Sequence, residues 1–65
     1  MKIVLNGENR DIESLSVEAL LVELNLLNKK LAIEHNKRII PRDMYNSTIL
    51  SEGDNIEIVH FIGGG

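Results

Sequence analysis

Cysteine and tryptophan are absent from these 65 residues, and proline occurs once, as Pro41. Without cysteine no disulfide can form, and the chain has no sulfur of its own to hold a persulfide or a thioester. That excludes the disulfide-rich secreted class and fits a reducing, cytoplasmic setting. The aromatics are Tyr45 and Phe61 alone, too few to make a stacking platform for single-stranded nucleic acid. A net charge of −3 makes nucleic acid a poor partner and a basic protein surface a better one. Lys29-Lys30 and Lys37-Arg38 are pairs, not a long basic tract. The apolar start at Ile3-Val4-Leu5 is too short for the core of a signal peptide, and no stretch approaches the ~20 apolar residues of a membrane span. His35 and His60 have no cysteine or close carboxylate pattern around them, so no metal site is expected. A nucleophile–base pair and a phosphate-binding loop are equally missing, which argues against an enzyme in its own right.

What is present is enough for one small domain with an aliphatic core. Ile3-Val4-Leu5 runs into Asn6-Gly7, a strong short hairpin signal because both residues tolerate positive φ. This predicts strands at about residues 2–6 and 9–13. Val17, Leu20, Leu21 and Leu24 fall at helical spacing on one face. Ser16 can cap that helix and Glu18 suits its first turn, while Asn25 and Asn28 end it. Leu31 to Glu34 reads as a third strand and Asn36-Lys37 as a turn. Ile39-Ile40-Pro41-Arg42 reads as a short extended piece passing into a turn, because Pro41 cannot sit in a central strand. Ser47 to Leu50 reads as the fourth strand. Gly53-Asp54 is turn chemistry. Asn55 to Phe61 is the last strand, with Ile56 and Ile58 on one face and Glu57 and Val59 on the other. The order ββαβββ, with first and last strands pairing in parallel at the centre, describes a two-layer α+β domain: one mixed sheet with one helix packed across it.

The break in composition is Gly63-Gly64-Gly65. Glycine there adds no buried area and loses the most entropy on ordering, so residues 1–61 are expected to form the domain and 62–65 a flexible tail. A chain without Cβ atoms can thread a narrow channel, and residues 61–65 extended reach roughly 17 Å. The group delivered would be the α-carboxylate of Gly65. Activation by ATP to an acyl-adenylate would make it reactive, and a sulfur nucleophile, a thiol or an amine could then displace the adenylate. Val59, Phe61 and Ile62, with Gly63 and Gly64, are the candidate partner contacts beside it, since an exposed apolar patch marks an interaction site. Glu52, Asp54 and Glu57 are candidates for its charged rim. Pro41-Arg42 reads equally as a fixed turn or as a dock for an acidic patch. His60, next to the tail, reads as a solvated or packing residue ahead of a partner contact, and His35 as structural.

Asn6-Gly7, the stretch Ile33-Glu34-His35-Asn36-Lys37-Arg38-Ile39-Ile40-Pro41-Arg42, and Leu50 to Phe61 with its Gly53-Asp54 turn resemble the ThiS family, the sulfur carriers of thiamine biosynthesis. The likeness runs nearly end to end. It implies a ubiquitin-like β-grasp fold. It implies adenylation of the Gly65 carboxylate by a ThiF-like adenylyltransferase that uses ATP and Mg²⁺, with no cofactor bound stably by the carrier itself. It further implies conversion to a thiocarboxylate with sulfur from a cysteine desulfurase relay, and delivery to thiazole synthase (ThiG). The family's functional pair carries over to Gly64 and Gly65, and Gly63 departs from the residue many relatives have there. Two neighbouring readings are the small subunit of molybdopterin synthase and a ubiquitin-like protein modifier. A binding module with a meaningless tail is the remaining alternative.

Overall fold

A computed structural model describes residues 1–61. β1 (Lys2–Leu5) and β2 (Glu8–Asp11) form an antiparallel hairpin across Asn6-Gly7. Both loop residues have positive φ, +50° and +83°. That is the two-residue turn whose twist matches the strands it joins. The strand itself ends at Asp11, short of the expected residue 13, although the buried Ile12 still exchanges main-chain hydrogen bonds with Met1, both at 2.8 Å.

The helix α1 spans Val17–Glu23. The Ser16 hydroxyl accepts the Ala19 N–H at 3.1 Å, as expected of its cap. Val17, Leu20 and Leu21 are fully buried against the sheet. The helix stops at Asn25, where φ is +61°. Leu26 N–H then reaches Leu21 C=O at 2.7 Å and Asn25 N–H reaches Val22 C=O at 3.0 Å. These two bonds form a Schellman cap, which needs a residue tolerant of the left-handed region, and asparagine supplies it.

β3 (Leu31–His35) turns through Asn36-Lys37, again both at positive φ, into β4 (Arg38–Ile40). The fourth strand is therefore Arg38–Ile40 and not Ser47 to Leu50. β4 is an edge strand that ends just before Pro41, so the missing proline N–H costs the ladder nothing. A 3-10 turn over Arg42–Met44 follows. The Ser47 and Thr48 N–H groups both bond back to Met44 C=O, which curls the segment assigned to a strand. Only Ile49 bridges Ser16, while Leu50 drops into the core at 3% exposure. The Ser47–Leu50 residues have strand propensity, but the bonds back to Met44 and the descent of Leu50 into the core keep them off the sheet, although its edges at β2 and β4 are open among the described residues.

β5 (Asn55–His60) completes the sheet, in the order β2-β1-β5-β3-β4. β5 runs parallel to β1 and antiparallel to β3. Ile3, Leu5, Ile33, Ile56 and Ile58 meet the helix residues in one core. The other sheet face is uncovered within the described residues. The result is one mixed five-stranded sheet crossed by one helix. Among the described residues no helix is long and apolar enough to cross a membrane.

Candidate functional site

Strand alternation along β5 buries Ile56 and Ile58 and turns Asn55, Glu57 and Val59 to the open face. β5 is held on both flanks by asparagine side chains. The Asn6 carboxamide accepts the Ile58 N–H at 2.7 Å and donates to Ile58 C=O at 3.3 Å. It continues the β1 ladder past the point where the main chain has turned away. On the other flank, Asn36 Oδ1 accepts the Asn55 N–H at 2.8 Å while its own N–H donates to Asn55 C=O at 2.8 Å. Each asparagine sits at a positive φ in a hairpin turn. The same residue type that permits the turn also grips the strand beside it.

The start of β5 is fixed by charge. His35 Nε2 lies 2.7 Å from Asp54 Oδ2, and Asn36 Nδ2 donates to Asp54 Oδ1 at 3.1 Å. The same carboxylate accepts the Ser51 N–H at 2.8 Å, across a turn in which Gly53 has φ +83°. Burial pushes the Asp54 carboxyl up. Hydrogen bonds from His35, Ser51 and Asn36, with the histidine charge, outweigh burial and hold it below its ordinary value of 3.8. His35 is thus structural, as expected, and Asp54 belongs to the turn instead of a partner rim. Glu52 also lies at this end, where it accepts the Lys2 N–H at 3.1 Å.

At the far end β5 delivers the chain to an exposed apolar surface. Val59 pairs in register with Ala32 and is 54% exposed. Phe61, one residue past β5, carries the pairing one step further by donating its N–H to Lys30 C=O at 3.0 Å, and is 63% exposed. Ile39 on β4 is 71% exposed and pairs with Glu34, which in turn faces Glu57 across β3 and β5. His60 is exposed beside them. Val59 and Phe61 therefore stand together at the exit of the last strand. Ile62, Gly63, Gly64 and Gly65 lie outside the described residues. Among the described residues no group of three or more histidines and carboxylates is placed to hold a metal ion. What this arrangement offers is presentation: a strand clamped from both sides that ends at an accessible apolar surface.

The clamp by Asn6 and Asn36 was not foreseen from the sequence, nor was a groove floored by Leu31, Ile40, Tyr45 and Phe61 at the same end. The two Asn-containing turns were visible. Their reach to Ile58 and Asn55 was not, because it depends on pairings 52 and 19 residues away.

A mixed sheet in this order with a single crossing helix defines the ubiquitin-like β-grasp class. Within that class the chain belongs to the ThiS family, whose model matches residues 3–65. The sulfur carrier protein ThiS of Bacillus subtilis is 44% identical over 50 residues, which cover 77% of this chain and 76% of that one. The crystal structure of thiamine biosynthesis protein ThiS from Geobacter metallireducens superposes with a TM-score of 0.85 over the full length of both chains, at 28% identity. The thiazole synthase of Paramagnetospirillum magneticum is 48% identical to the whole of this chain, and that of Magnetococcus marinus 47%. The chain spans only 20% of the length of these two relatives.

Proposed function

We propose that this chain is a sulfur carrier for the thiazole step of thiamine biosynthesis, with the Gly65 carboxylate as the group that carries the sulfur. The observation that carries the reading is family membership over residues 3–65, joined to a β5 strand whose exit is exposed and apolar. In this reading a ThiF-like adenylyltransferase uses ATP and Mg²⁺ to convert the carboxylate to an acyl-adenylate, releasing pyrophosphate. A persulfide from a cysteine desulfurase relay displaces AMP to give an acyl disulfide. A partner thiol then cleaves its S–S bond, leaving a disulfide on the donor and freeing the thiocarboxylate, which gives its sulfur to thiazole synthase. The sulfur must come from a partner because the chain has no cysteine. Val59, Phe61 and Ile62 would contact those partners, and Gly63 and Gly64 would let the terminus pass through a narrow channel.

Thiazole synthase is supported as the acceptor by the two relatives of that name that contain a stretch nearly half identical to this chain. A module of this kind built into the acceptor's own polypeptide makes contact between the two obligatory there.

The test is the intact mass of the chain after incubation with ATP, Mg²⁺, an active ThiF-like enzyme and a sulfur donor. A gain equal to sulfur replacing oxygen, followed by loss of that gain on addition of thiazole synthase and its substrates, is expected. An unchanged mass with demonstrably active enzyme would overturn the reading.

A further inference from the structure

The charges on this acidic chain are segregated. Five of the seven basic residues, Lys29, Lys30, Lys37, Arg38 and Arg42, fall between positions 29 and 42, with Glu34 as the one acid among them. The topology gathers these positions on the β3–β4 side of the sheet. Three of them, Lys29, Lys30 and Arg42, rim the groove beside Phe61. The floor of that groove is apolar, built from Leu31, Ala32, Ile40 and Phe61 over the buried Tyr45. Among the described residues the ion pairs are Met1 with Asp11 and His35 with Asp54, so the fold makes no internal use of the three rim charges. The sign at this end is opposite to the net charge of −3.

We propose that this groove docks an extended partner segment that combines apolar side chains with carboxylates. The apolar floor needs side chains that gain by leaving water, and the cationic rim needs anionic groups flanking them. Inorganic phosphate or a nucleotide would satisfy the rim and leave the floor exposed. Nucleic acid would face the net negative field of the whole chain with two aromatics to stack on. The edge strand β4 adds a row of unpaired main-chain groups beside the groove, which an extended segment can use. The proposal goes beyond sulfur carriage: it assigns a docking surface that needs no ATP and no reactive terminus.

The experiment is a titration of the ¹⁵N-labelled chain with a blocked peptide of alternating glutamate and leucine, followed by amide chemical shifts. Saturable shifts confined to residues 29–32, 39–45 and 61 are expected, weakening as salt is added. The double variant Lys30→Glu/Arg42→Glu is expected to weaken binding about tenfold or more, because each reversal replaces an attraction by a repulsion at the rim. Lys2→Glu, on the opposite flank, should leave the affinity unchanged. If the double variant fails to fold by circular dichroism, Lys30→Gln/Arg42→Gln makes the same comparison. Absence of saturable shifts, equal binding of a glutamine–leucine peptide, or tighter saturation of the same amides by ATP or oligothymidine would each overturn the proposal. So would a shift of these amides with protein concentration alone, which would assign the groove to a second copy. Because no activating enzyme is present, failure here and failure of sulfur transfer are separate results.

Discussion

At the scale of single residues, Asn6 combines two duties that substitution can separate. Asn6→Gly keeps a residue at ease at φ +50° but removes both hydrogen bonds to Ile58, whereas Asn6→Ala also strains the turn. Asn6→Gly should cost about 1–2 kcal/mol, and Asn6→Ala about 1–2 kcal/mol more, read from the shift of the urea midpoint at constant slope. Equal costs would mean that the turn conformation carries no strain for alanine. Asp54 makes a different prediction. Its carboxyl titrates lower in the folded chain than its ordinary value of 3.8. The stability it contributes is therefore fully present above that value and is lost as pH falls through the folded pKa. Asp54→Asn should be less stable than the parent at neutral pH, and the gap should close on acidification below about pH 4, measured as thermal midpoints across pH. The turn at Gly53-Asp54 was legible from residue types alone. The partnership with His35 was not, because 19 positions of sequence separate the two.

At the scale of elements, the helix was the most legible part, because its face, cap and end all follow from local spacing. Ser16→Ala should lower stability by about 1 kcal/mol through loss of the Ala19 N–H acceptor. Leu21→Ala should cost about 2–5 kcal/mol by opening a cavity in a fully buried site. Both are measured by denaturant unfolding, and Leu21→Ala falling below Ser16→Ala would contradict the packing described. The strands were less legible. Arg38–Ile40 is three residues with a proline behind it, yet it pairs. Ser47 to Leu50 has better strand composition, yet it bends back on Met44. Composition cannot say which segment pairs: the tight Asn36-Lys37 turn lays Arg38–Ile40 directly against β3, while the bonds to Met44 C=O curl Ser47 and Thr48 away. The last strand was placed well because its alternation survives from sequence to burial, with Ile56 and Ile58 inside and Val59 outside.

At the scale of the whole molecule, the buried apolar residues of the described chain all lie between Ile3 and Ile58. Removal of Gly65 should therefore leave the unfolding midpoint unchanged while abolishing the ATP-dependent mass gain. A large loss of stability on that deletion would tie the terminus to the core and remove the basis for reading it as a presented group. The candidate surface was partly legible: Val59 and Phe61 stood out as apolar residues late in an otherwise alternating strand. Of the three acids expected around them, Glu57 shares the open face of β5 with Val59, while the other two lie at the far end of the strand. Asp54 is engaged in the turn before β5, Glu52 lies at that same end, and the charged residues that line the groove with Phe61 are Lys29, Lys30 and Arg42. Net charge averages over a surface whose signs are sorted by topology, and sorting requires the strand order.

Parallel pairing of the first and last strands also sets the polarity of the body. Val4 lies beside Asn55 and Leu5 beside Ile56, so β5 continues onward where β1 has stopped. Met1 and Phe61 are then some nine strand positions apart, about 30 Å along the sheet. A tether, dye or solid support attached at the first residue would sit at one pole and leave the opposite pole clear. The same attachment made after the glycines would occlude the surface that partners are proposed to meet.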